Sequence, residues 1–128
     1  MIDVRRSRVN TTLSHPAAAN LETWSHYSWT DGLQVEALPA LECLTVRTKN
    51  SVYEISVITP YTGEILIRGG RFFPTYTPAV LAGASLGGSF LKRHGIYVGF
   101  LMELQYDGQT LVTTRVQSVT RAESGRVQ

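Results

Sequence analysis

The chain has 128 residues, 43% apolar and 17% charged, with twelve Lys and Arg against ten Asp and Glu for a net charge of +2. That length supports one domain, which buries roughly two thirds of its extended surface without help from metals or disulfides. The basic surplus is too small to mark a protein that coats nucleic acid, Cys43 as the sole cysteine excludes an intrachain disulfide, and no apolar run approaches the roughly 18 residues that cross a bilayer.

Residues 1–30 are polar, carry Arg5, Arg6 and Arg8, and hold no sustained period of 2 or 3.6. They read as a mostly disordered basic tail. The first twenty residues lack the apolar centre of a secretory signal, so a cytoplasmic location is expected, with no membrane association. Trp24, Tyr27 and Trp29 are the exception within the tail, because side chains of that size are expected to pack, onto the domain itself or onto a partner, with the domain preferred. The domain is expected over residues 31–122, with 123–128 frayed. Cys43 reads as a small buried or half-buried apolar side chain and not as a reactive thiol.

From residue 32 onward the pattern is that of strands. A short strand is expected around residues 33–38. Residues 43–48 alternate with Leu44 and Val46 on one face, residues 52–58 with Tyr53, Ile55 and Val57, and residues 64–68 with Ile65 and Ile67. Period-2 runs separated by Asn50-Ser51 and by Thr59–Gly63 predict two hairpins. A turn at Asn50-Ser51 sets Leu44 opposite Val57 and Val46 opposite Ile55; the loop at 59–63 sets Val57 opposite Ile65 and Ile55 opposite Ile67. Both registers keep the apolar set on a single face, and they align Arg47, Glu54 and Arg68 across the other as a solvated charge row.

Residues 96–104 place Ile96, Val98, Phe100, Met102 and Leu104 on one face, and residues 111–119 return after Tyr106-Asp107-Gly108. A two-residue turn at Asp107-Gly108 would set Phe100 against Arg115. A bulged three-residue loop sets Val98 against Val116, Phe100 against Thr114 and Met102 against Val112, and is preferred for the apolar area it covers. The expectation is an all-β domain: a small antiparallel β-barrel or strongly curled sheet of five to six strands with little helix, at most a single turn over 79–83.

Between the hairpins lies Gly83-Ala84-Ser85-Leu86-Gly87, which fits the G-x-S-x-G pattern of a hydrolase nucleophile turn. That chemistry needs a buried strand before the serine and a firm helix after it, on a parallel sheet. Gly87-Gly88 discourage the helix, the sheet is antiparallel, and His94 and Asp107 come in the wrong chain order. The stretch lacks the Gly-Lys-Ser/Thr ending of a phosphate-binding loop. Ser85 is therefore expected not to be catalytic, and residues 71–95 read as a long connector of the kind that carries function.

Arg71, Phe73 and Tyr76 stand at one end of that connector, with Lys92, Arg93 and His94 at the other. If the ends meet, Arg71, Lys92 and Arg93 form one basic cluster beside two aromatics, suited to an anionic protein tail or a single strand of nucleic acid. His15, His26 and His94 are scattered, so no metal and no cofactor is expected. Glu103 reads as an exposed carboxylate without an acidic partner.

The run from Leu44 to Tyr53, the Gly69-Gly70-Arg71-Phe72-Phe73 stretch and the Ile96-x-Val98-Gly99-x-x-Met102-Glu103 pattern resemble those of small uncharacterised bacterial β-barrel proteins, over residues 33–121. Gly99 leading into the last hairpin with Thr113-Thr114-x-Val116 is also similar to the second barrel domain of translation factors. The resemblance implies a fold type and transfers no catalytic residue. The functional expectation is a non-enzymatic binding or accessory module that takes a protein partner through the 71–95 stretch and the adjoining rim, at Arg71, Phe73, Tyr76, Ser85, Lys92, Arg93 and His94. A single-stranded nucleic-acid binder, and an enzyme with Ser85 and His94 converging beneath the same stretch, are the alternatives.

Overall fold

The computed structural model describes residues 22–88 and 90–122; the basic stretch before residue 22 and the frayed end expected over 123–128 lie outside the described residues. Nine strands follow one another: β1 (Gly32–Gln34), β2 (Cys43–Thr48), β3 (Val52–Thr59), β4 (Glu64–Gly69), β5 (Phe73–Ser85), β6 (Leu91–Arg93), β7 (Gly95–Tyr97), β8 (Leu101–Tyr106) and β9 (Gln109–Arg121). Among the described residues, helix is confined to one turn over residues 22–26 and a 3-10 turn, Val35–Ala37. The strand expected around 33–38 is thus a three-residue strand and that turn. A seven-stranded antiparallel sheet has the order β4-β3-β2-β9-β8-β5-β6, and β4 also pairs with β5. The pairing therefore runs round a circuit of six strands, which curls the sheet strongly and leaves few open edges. The all-β expectation holds, with more strands than the pattern shows.

The inner face is apolar by alternation. Leu44, Val46, Ile55, Val57, Ile65, Ile67, Leu81, Met102 and Leu104 are almost fully buried in one cluster. The second hairpin has the expected register, Ile55 opposite Ile67 and Val57 opposite Ile65, with a bulge at Ile58. The first differs: Leu44 faces Ile55 and not Val57, a shift of two residues that puts the turn at Lys49-Asn50. The inner face is unchanged because a two-residue shift preserves parity. The shift is held by the turn's own bonds, for the Thr48 hydroxyl accepts the Ser51 N–H at 3.1 Å, and β9 takes up Lys49 N–H at Arg115 O and Asn50 N–H at Thr114 Oγ1. Arg47 consequently faces Val52, and only Glu54 and Arg68 of the expected charge row meet.

The last hairpin uses the two-residue turn that the pattern argument disfavours. Leu104 pairs with Leu111 and Tyr106 with Gln109, and Asp107 and Gly108 both have positive φ, 55° and 75°. That is the primed turn whose twist matches the strands. The lost apolar pairing is recovered further on by a bulge between Leu101 and Glu103, after which the Val116 N–H bonds to Phe100 O at 2.8 Å. Turn geometry and bulge together satisfy what a three-residue loop was expected to provide.

The largest departure lies over residues 71–95, which form strands and not a connector. β5 is thirteen residues long, pairs with β4 over Phe73–Val80 and with β8 over Val80–Ser85, and β6 lies along its second half. The turn allowed for at 79–83 is part of this strand. A bulge between Leu81 and Gly83 bends it. Gly83 lies between β6 and β8 with φ 150°, and a Cβ there would run into the Lys92 carbonyl, so only glycine fits.

Trp24, Tyr27 and Trp29 do pack on the domain, so the folded body begins before residue 31. With buried Tyr97 and Phe100 they form a second cluster, with ring centroids 4.7 to 5.0 Å apart for Tyr27–Phe100, Tyr27–Trp29 and Trp29–Phe100. Trp29 takes φ 57°, a costly conformation for a bulky residue, which these edge-to-face and tilted contacts hold in place. Cys43 is half-buried.

Gly63 offers a direct test of how tightly the closing strands meet. It has φ 80°, and a Cβ would lie 2.7 Å from Leu81 O and 2.9 Å from the His94 ring. Gly63→Ala is expected to cost roughly 2 kcal/mol, lowering Tm by about 5–10 °C. Gly88→Ala, which meets nothing within 4 Å, should change stability by less than about 0.5 kcal/mol.

Candidate functional site

β5 separates the residues expected to cluster. Arg71 precedes its first residue and Lys92 pairs with Ala84 near its last, roughly 35 Å of strand away. Arg71, Lys92 and Arg93 therefore do not form one basic cluster.

At the far end, Ser85 is fully buried, its hydroxyl donating to Glu103 Oε2 at 2.6 Å and accepting the Gly87 N–H at 3.2 Å. Glu103 is accordingly half-buried and engaged, not the exposed carboxylate expected. His94 is buried at the corner between β6 and β7 with φ 60°, bonded through its backbone to Ala82 O and Val35 N–H. Its Nδ1 lies 3.6 Å from Glu36 Oε1. Ser85 and His94 thus have separate partners and do not converge on a pocket. Both residues, expected at a binding site, are buried. Lys92 Nζ lies 5.2 Å from the Trp29 ring centroid, and Phe90 stacks on Trp24 at 5.6 Å. Arg93 is exposed, with its carbonyl taken by Gln34 Nε2 at 2.9 Å.

Tyr76 is exposed on the outer face of β5, in a patch with β3 and β4. Arg68 pairs with Glu54 and lies 4.5 Å over the Tyr76 ring, whose hydroxyl donates to Glu54 Oε1 at 3.3 Å. The hydrogen bond and charge of Arg68 hold the Glu54 carboxyl below the ordinary glutamate range. Burial, then the Glu54 charge, pushes Tyr76 above the ordinary phenol value.

Phe73 also departs from expectation. It is 1% exposed and belongs to the core, packed edge-on against Tyr106 at 5.4 Å, whereas Phe72 is 59% exposed. Alternation along β5 settles which of the two phenylalanines points inward, once that stretch is known to be a strand.

Phe72 and Arg71 stand on the rim of an open cleft of about 660 Å³. Three pieces build it: the β2–β3 turn with Asn50 and Ser51, the β4–β5 turn with Gly70 to Phe72, and Val112 to Thr114 of β9. Tyr53 closes its floor from β3. Among the described residues no carboxylate lies within salt-bridge distance of Arg71. Sequence reasoning reached Arg71 and missed Phe72, Asn50 and Val112. Their shared position follows from closure of the sheet, which no local pattern encodes. A second groove of about 560 Å³, lined by Ile58, Leu66, Pro78 and Val80 among others, runs along the outer face.

The cleft's lining contains no Asp, Glu, His, Cys or Lys. It offers one cation, hydroxyl and amide groups, and apolar surface. Among the described residues no group of three or more His, Cys, Asp or Glu could hold a metal ion, and no helix is long and apolar enough to cross a membrane. Comparison with protein-family models, curated proteins and solved structures finds no match.

Two substitutions check these assignments. Ser85→Ala should cost about 1–2 kcal/mol in a denaturant titration, since it removes the donor held by a half-buried carboxylate. Arg68→Ala should raise the Glu54 carboxyl toward its ordinary value in an NMR pH titration. Because Glu54 is depressed in the folded state, its contribution is present above the ordinary glutamate range and fades as pH falls through the folded value. The variant should flatten that part of the stability–pH profile.

Proposed function

We propose that the chain is a non-enzymatic binding module that captures a protein partner at the Arg71 end of the curled sheet. One observation carries the reading: Arg71, with no carboxylate in salt-bridge distance among the described residues, and the largely exposed Phe72 share the rim of the cleft. Aromatic side chains and arginine are enriched at protein interfaces, where a few residues carry most of the binding energy. The lining's lack of Asp, Glu, His, Cys and Lys favours capture over chemistry, and the burial of Ser85 and His94 weighs against the enzyme reading.

The nucleic-acid reading has its own support in the stacked Trp24–Phe90 pair, with Phe90 41% exposed and Lys92 and Arg93 close in sequence. Lys92, however, is already engaged with the Trp29 ring. That end therefore offers a backbone phosphate little free charge.

Affinity capture from a lysate of the source organism should recover a protein with the wild-type chain. Recovery should be lost with the Arg71→Glu, Phe72→Ser double variant, whose surface changes leave Tm within a few degrees. A steep fall with salt in affinity for a single-stranded oligonucleotide, lost on Lys92→Ala and unaffected by the double variant, would favour the nucleic-acid reading instead.

A further inference from the structure

β9 is thirteen residues long, and its two neighbouring strands flank different halves of it. β8 pairs with Gln109–Val112 and again at Arg115, whereas β2 reaches only from Val116 to Arg121. The edge of residues 109–114 that faces away from β8 has no strand beside it, and it borders the cleft through Val112, Thr113 and Thr114. The turn at Asp107-Gly108 decides which backbone groups that edge presents. In a two-residue hairpin the flanking pair, Tyr106 and Gln109, exchange both hydrogen bonds, as do Leu104 and Leu111 two residues on. Thr110 and Val112 therefore turn N–H and C=O outward. Among the described residues, neither has a backbone partner in a turn or loop.

Two other open edges are blunted. β5 lacks a second neighbour over Phe73–Ala79, but Pro74 and Pro78 there carry no N–H. β6 is three residues long and carries Lys92 and Arg93, the usual protection of a strand edge. The stretch 109–114 has neither proline nor charge.

We propose that this edge takes an added β-strand from an extended, acidic segment of a partner protein. The segment bonds to the Thr110 and Val112 backbone, sets a carboxylate against Arg71, and lays an apolar side chain on Phe72 and Val112. This deepens the protein-binding reading and rests on it. The backbone supplies affinity independent of sequence, and the rim supplies selection. A second copy fits less well as occupant, since this edge in that copy, residues 109–114, carries no carboxylate to set against Arg71.

The test uses short blocked peptides and the amide NMR spectrum of the full chain. A peptide alternating Val and Glu should shift the Thr110 and Val112 amides and slow their hydrogen exchange. One alternating Val and Lys should bind about tenfold more weakly, and Arg71→Glu should reverse that preference. Methylating alternate backbone nitrogens of the Val-Glu peptide, in either of the two phases, should abolish binding in one phase only, the one whose N–H groups face the edge. Val112→Pro should abolish it with the cross-strand NOEs between Leu104 and Leu111 retained. If both methylated peptides bind as well as the parent while shifting Arg71 and Phe72, strand addition is wrong and capture at the cleft survives. If the parent peptide shifts none of these residues, or the free chain dimerises through this edge, the proposal is overturned; in the first case the cleft reading falls with it.

Discussion

The architecture depends on β5 serving two neighbours in turn. Its first half is the partner of β4 and its second half the partner of β8, and the bend at Ala82-Gly83 lets one strand turn from one to the other. Without that shared strand, the three-stranded unit β2–β3–β4 and the hairpin β8–β9 would meet only along β2 and β9. The apolar faces of both would be open to water on one side. A small sheet in that state has no covered core, and burial of the inward Ile, Val and Leu side chains is the main favourable term available to it.

The same closure determines what each end of the molecule can do. At one end the chain returns on itself through β6 and β7, the aromatic side chains of residues 24–29 cover Phe100, and Ser85 and His94 are locked into bonds that hold corners together. A Gly-x-Ser-x-Gly run there is a strand end, with glycine chosen for close backbone approach and serine for a carboxylate. At the other end three pieces of chain converge without covering one another, leaving Arg71, Phe72 and a length of β9 exposed. The functional reading follows from this asymmetry: one end is filled by its own side chains and the other is open.

Much of the fold is legible in the alternation of single strands. The inward set Leu44, Val46, Ile55, Val57, Ile65, Ile67, Met102 and Leu104 can be read off period 2, because a buried face tolerates no polar neighbour at the same parity. Pairing within that parity is less legible. The two-residue shift of the first hairpin is decided by Thr48 and by bonds from β9, and the last hairpin by two positive φ angles and a bulge, none of which alternation records. β5 is hidden because Pro74, Pro78 and a run of Gly and Ala read as loop. Prolines are tolerated there since half of that strand has a single neighbour. The cleft was half legible: Arg71 stands out as a base beside aromatics, but its companions Asn50 and Val112 are distant in sequence and come together only through closure.

The most direct measurement is a set of cross-strand backbone NOEs involving β5. The account predicts Thr77 close to Ile67 of β4 and, in the same molecule, Leu81 close to Leu104 of β8. A spectrum in which β5 shows one set and lacks the other, with the unmatched strand exchanging its amides as an open edge, would contradict it.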